Sequence, residues 1–148
     1  MVTTGDWFDD VPFNEWYSSY VQTAINKSII NSPSEKVDLF YPELHVSRGE
    51  VAKMVVNAFE IDTSRFTEVI PFLDIDRTSE FYSYVRAIYH LDDSEGRIMD
   101  GQNETTFGTN ESVSRGELAK ILATMIKYKE NEPYSPFGFS LHKTFSIA

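Results

Sequence analysis

Val46–Val55 reads VSRGEVAKMV, and the same segment returns at Val113–Leu122 as VSRGELAKIL. Seven of the ten positions are identical and the other three exchange one apolar residue for another. The match extends upstream: Phe40 precedes Arg48 as Phe107 precedes Arg115, at a fixed offset of 67. Further back, Phe8-Asp9-Asp10-Val11 corresponds to Phe72-Leu73-Asp74-Ile75, and Tyr17, Tyr20 and Val21 correspond to Phe81, Tyr84 and Val85, all at an offset of 64. Self-similarity at a fixed period marks a repeat architecture. The change of offset places an insertion in the second copy, around the polar, turn-forming Asp92–Gly96, where added length is tolerated. The organisation expected is repeat one over residues 1–62, repeat two over 63–128 and a tail over 129–148.

Each copy reads as two helices joined by a long loop. Trp16, Tyr20, Val21 and Ala24, and in the second copy Phe81, Tyr84, Val85 and Ile88, recur at helical spacing. The second helices show wider stripes, Val51, Met54, Val55, Ala58, Phe59 and Leu118, Ile121, Leu122, Met125, Ile126. Ser47 with Glu50, and Ser114 with Glu117, fit a capping box at the start of these second helices. The loops from Ile29 to His45 and from Ile98 to Val113 carry Pro33, Pro42, Gly101 and Gly108, so strand content is expected to be low. A two-helix unit cannot bury such stripes alone. The expected class is therefore all-α: two tandem helix-loop-helix repeats packed together with pseudo-symmetry, followed by an irregular or extended C-terminal tail.

Thirteen basic against 23 acidic residues give a formal charge of −10, which repels nucleic acid and anionic membranes. Cysteine is absent, which excludes disulfides and thiol chemistry. The opening MVTTGDWFDD lacks the basic-then-apolar pattern of a secretory leader, and nowhere do about 18 apolar residues run together. His45, His90 and His142 stand far apart, and neither a nucleophile elbow nor a phosphate loop occurs, so no catalytic residues, metal site or cofactor is expected. Asp74-Ile75-Asp76-Arg77-Thr78 spaces oxygens like the start of a calcium loop but lacks the glycine and glutamate that complete one.

Arg48 and Arg115 have no part in the caps, and the helix dipole disfavours a cation in the first turn. Two uses stay open: contact with an anionic ligand through the planar donor fork, or pairing with a nearby acid such as Asp10 or Asp74. Trp16 and Tyr17 are adjacent at a helix start, so only one can face the core squarely. Trp16 is the expected core residue, and either ring could instead stack on a sugar. Asp10 and Asp74 are expected to cap the turn into the first helix.

The run FDDVPFNEWYSSYVQTAINKSIIN followed by FYPELHVSRGEVAKMV resembles the S-layer homology family, and the likeness covers about four-fifths of the chain. Repeat one keeps Phe8, Asp10, Trp16, Ile29, Ile30, Phe40, Pro42, Ser47, Arg48 and Glu50; repeat two keeps Phe72, Asp74, Ile98, Gly101, Phe107, Ser114, Arg115 and Glu117. Repeat two lacks the Trp, and Gly49 and Gly116 replace an alanine of the family motif. The resemblance implies a non-catalytic cell-surface module that holds an exported protein on wall polysaccharide. It further implies that the motif arginines, with Trp16 and Tyr17, contact a sugar bearing a pyruvate ketal. Family members commonly carry three repeats, so a third repeat or a second copy of the chain would complete the arrangement. The alternative is a protein-interaction or assembly module that has kept the fold and lost sugar binding.

Overall fold

A computed structural model describes residues 7–34, 38–93 and 96–131. The chain divides into two compact units, residues 1–46 and 47–148.

The first unit holds one helix, α1 (Ser18–Asn26). Tyr17 at its N-cap makes no side-chain cap bond, and the Ser18 hydroxyl instead donates to the Phe13 carbonyl at 2.9 Å. The helix closes through Ser28, which takes a left-handed φ of 57°, with the Ile29 amide returning to the Ala24 carbonyl at 2.9 Å. Phe8, Val11 and Val21 form a small core flanked by Trp7, Tyr17, Ile25, Ile30 and Phe40. The indole N–H of Trp7 donates to the Val11 carbonyl. Of the apolar stripe expected on α1, Val21 is buried, while Trp16 is 79% and Tyr20 69% exposed. Trp16 thus corrects the expectation that it packs in the core: Tyr17 takes the inward position, and a nine-residue helix has room for little else.

The second unit contains α2 (Arg48–Ala58), a 3-10 turn (Thr63–Arg65), α3 (Tyr82–His90), a two-residue hairpin of β1 (Asp92–Asp93) and β2 (Gly96–Arg97), and α4 (Arg115–Asn131). The hairpin sits at the insertion, with Asp92 paired to Arg97 and Asp93 to Gly96. The helices are all amphipathic, and α2 packs on α3. Their shared core runs through Val51, Val55, Val85, Ile88, Ile98, Phe107, Ile121 and Met125. Phe107 is fully buried and packs against Phe72 at 5.3 Å between ring centroids. Burial of one such side chain contributes about 1.5–3 kcal/mol. The second helix of repeat one therefore lies in the same core as the first helix of repeat two.

On α4 the expected stripe is only half used. Ile121 and Met125 are buried, but Leu118, Leu122 and Ile126 are 39%, 41% and 46% exposed, because nothing among the described residues covers that side. The helix continues to Asn131, past the start expected for the tail. Residues 132–148 lie outside the described residues.

Candidate functional site: a loop braced by an arginine

The two copies build the same local scaffold from an aspartate. Asp74 accepts from the amides of Phe107 and Gly108, both at 2.8 Å, and Asp10 accepts from those of Phe40 and Tyr41, both at 2.7 Å. A second bond repeats alongside: Leu73 N–H to Thr105 O at 2.8 Å, and Asp9 N–H to Asp38 O at 2.9 Å. Asp10 and Asp74 thus tie the long loop down, correcting the expectation that they cap the first helix. Burial opposes ionisation of Asp74, but the amides of Phe107 and Gly108 outweigh it and hold the carboxyl below its ordinary value of 3.8. Each loop turns through a left-handed residue, Gly108 at φ 79° and Tyr41 at φ 58°. At Gly108 a side chain would also strike Gln102. Asp76 spends its carboxylate on the amide and hydroxyl of Thr78, both at 2.7 Å.

Both second helices open with the reciprocal cap. The Glu50 amide donates to Ser47 Oγ at 3.2 Å while the Ser47 amide donates to Glu50 Oε2 at 2.7 Å. Glu117 and Ser114 repeat the pair at 3.2 and 2.9 Å. Ser114, through its amide and its hydroxyl, lowers the Glu117 carboxyl from 4.5; burial opposes this less strongly, and the charge and hydrogen bond of Arg48 add smaller lowering effects.

The two motif arginines part company here. Arg48 is 5% exposed, and its guanidinium closes the Asp74-held loop. Nε donates to the Phe107 carbonyl at 2.9 Å, Nη1 to Glu117 Oε1 at 2.6 Å and Nη2 to the Asp100 carbonyl, with the cation 4.9 Å from the Phe107 ring centroid. Its acidic partner is Glu117, rather than the Asp10 or Asp74 expected. Arg115 is exposed and makes no hydrogen bond or ion pair among the described residues.

Beside Arg48 lies a half-open cleft of about 180 Å³ lined by Ile98, Met99, Asp100, Gln102, Glu117 and Lys120 among others. Lys120 crosses its rim to Asp100 Oδ2 at 3.1 Å. The cleft offers one half-exposed cation, one cation fixed by the fold, two carboxylates and an amide, a donor and acceptor mix suited to hydroxyl-rich or carboxylated ligands. The sequence reading overlooked Lys120, Asp100 and Gln102. Lys120 was discoverable, since it lies inside the repeated segment opposite Lys53. Trp16 and Tyr17 are not in this cleft but in the first unit, where the Trp16 ring meets Tyr17 at 5.5 Å and Tyr20 at 6.4 Å.

A doubled scaffold of this kind, with an aspartate-tied loop and a Ser-Arg-Gly-Glu helix start in each copy, defines a tandem-repeat helical module. The chain belongs to the S-layer homology domain family, whose model matches residues 8–52 and 71–119. Such domains are wall-anchoring modules of surface-layer proteins and surface enzymes. The chain is 26% identical over 125 residues to an endoglucanase of Bacillus sp. (strain KSM-635), covering 84% of this chain and 12% of that protein. It is 25% identical over 118 residues to the surface-layer 125 kDa protein of Lysinibacillus sphaericus, covering 80% of this chain and 9% of that one. The chain thus spans about a tenth of the length of these relatives. No solved structure matches it. Among the described residues no helix is long and apolar enough to cross a membrane.

Proposed function

We propose that this chain is a non-catalytic anchor that holds an exported protein at the cell surface by binding wall polysaccharide, with an acidic sugar such as a pyruvate ketal in the cleft beside Arg48. The observation that carries this reading is the cleft itself: a polar hollow of about 180 Å³, wide enough for roughly one sugar ring, with Lys120 and Gln102 at its wall. The net charge of −10 works against an anionic polymer at long range, so recognition falls to local cations. Lys120 is the adaptable one. Arg48 shapes the wall of the cleft while bonded to Phe107, Asp100 and Glu117, and Arg115 is free to reach an anion from α4. In the first unit, the exposed ring of Trp16, next to Tyr17 and Tyr20, supplies a separate surface on which a sugar face could stack.

Purified Gram-positive wall polysaccharide, with its ketal intact or removed by mild acid, is the direct probe. Binding to the intact polymer is expected to fall about tenfold or more on ketal removal, and by a similar factor in Lys120→Ala or Trp16→Ala. Both residues are solvent-facing, so the fold should persist. A chain that binds no wall polymer at any salt concentration sinks the proposal. The internal satisfaction of Arg48 favours one other reading, a module that keeps the fold for protein association. Undiminished polymer binding by Arg48→Lys, with sugar specificity retained, would speak against it.

A further inference from the structure

The start of α2 is sealed. Arg48 and Gly49 are buried, and their amides donate to the carbonyls of Glu111 and Thr109 at 2.8 and 2.9 Å. A β-carbon on Gly49 would stand 2.8 Å from the Thr109 methyl and 3.0 Å from the Phe81 ring. Glycine is therefore required there by what covers it. The start of α4 carries the same residues with no cover among the described residues. A β-carbon on Gly116 would meet nothing within 4 Å, Arg115 is exposed and unpaired among the described residues, and Leu118 and Leu122 are 39% and 41% exposed. Glycine inside a helix costs roughly 0.5–1 kcal/mol relative to alanine. Within the described chain nothing requires glycine at 116.

We infer that this face of α4 docks the first unit of a second copy of the chain, with Tyr17 lying over Gly116 and the Phe40 carbonyl receiving Arg115. Residues 7–46 hold the counterparts of what seals α2. Tyr17 stands at the start of α1 with φ −88°, as Phe81 stands at the start of α3 with φ −87°. Asp10 ties the Phe40–Tyr41 turn as Asp74 ties Phe107–Gly108. The Phe107 carbonyl accepts from Arg48, whereas the Phe40 carbonyl accepts no hydrogen bond among the described residues. Charge agrees with the match: burial and then Glu15, Glu43 and Asp10 push the Tyr17 phenol up, so the receiving unit carries three carboxylates near Tyr17. Each copy bears one docking face and one receiving unit, so the contact is head-to-tail, and two copies are the smallest number that can occupy both ends.

Sedimentation equilibrium on the chain tests this. The expected mass is that of two chains at micromolar concentration, with association weakened about a hundredfold or more in Arg115→Glu and in Gly116→Leu. Both positions are open among the described residues, so the dissociated variants should be as helical as dilute wild type, with the thermal midpoint unmoved in Arg115→Glu and no lower in Gly116→Leu. Combining Arg115→Glu with Glu15→Lys and Glu43→Lys should recover most of the association. A single-chain mass at every concentration overturns the inference, as does a pair indifferent to both α4 variants. So does a single chain that pairs only with a separately supplied further repeat. The inference stands apart from polysaccharide binding, because Gly116→Leu alters none of the proposed sugar contacts and is expected to lose pairing with wall affinity retained.

Discussion

Arg48-Gly49 and Arg115-Gly116 are the same dipeptide on the same cap, yet one is sealed in a core and the other stands in solvent. The difference teaches that the motif does not work for the repeat that encodes it. Ser and Glu finish their own helix, whereas Arg and Gly finish the loop of the next unit along. Where such a unit follows, as residues 72–109 follow α2, the arginine becomes a structural brace.

The comparison breaks most sharply at the arginines. Arg48→Ala leaves the buried Phe107 carbonyl, the Asp100 carbonyl and the half-exposed Glu117 carboxylate without their donor and should cost about 3 kcal/mol, read by urea unfolding. Arg115→Ala in the dissociated chain should leave the midpoint unmoved. Equal losses at the two sites would refute the assignment of separate roles. The glycines should then differ in sign. Gly49→Ala forces the Phe81 ring and Thr109 aside and should destabilise by about 1–3 kcal/mol, whereas Gly116→Ala should stabilise a dissociated chain by roughly 0.5–1 kcal/mol.

Asp74→Asn comes next. It weakens two amide bonds at about 1–2 kcal/mol in total near neutral pH. It should also flatten the acid limb of the stability curve. The folded carboxyls of Asp74 and Glu117 lie below their ordinary 3.8 and 4.5, so their contribution is complete above those values and is lost as pH falls through the lower folded ones. An unchanged acid limb in Asp74→Asn would mean the loop amides contribute nothing through its charge. Ser47→Ala and Ser114→Ala should give the smallest effects, each about 1 kcal/mol and equal within error, because the cap is local in both copies. Unequal values would show that the cap too depends on what covers it.

How much of this was legible follows from the range of each interaction. Ser47 with Glu50 and Ser114 with Glu117 bond across three residues, so spacing alone reveals them. The phase-locked offset likewise exposed the repeats and the insertion that became the β1–β2 hairpin. The burial of Arg48 was not visible, because two of its acceptors are main-chain carbonyls 59 and 52 residues away and carry no side-chain signature. The aspartates misled for the same reason: an Asx-like position before a helix reads as a cap, while Asp74 reaches 33 residues forward to Phe107. Periodicity correctly marked Leu118, Leu122 and Ile126 as a face. It could not say that the face meets solvent, since that depends on a neighbour. Trp16 failed likewise, with Tyr17 filling the one inward position. At the cleft, Arg48 was singled out, while Lys120 was passed over because a helical lysine ordinarily signifies nothing but solubility.

One further consequence concerns synthesis rather than the finished molecule. Arg48 and its acidic partner are 69 residues apart, so at roughly 5–20 residues per second the ribosome leaves α2 unsealed for about 3–14 s after it emerges. During that interval Val51, Val55 and Val56 have no α3 to rest on, and the nascent chain carries its stickiest stretch forward until the Asp74 loop has been made. Each further repeat added in tandem would renew the delay, handing an unfinished helix to a successor not yet translated.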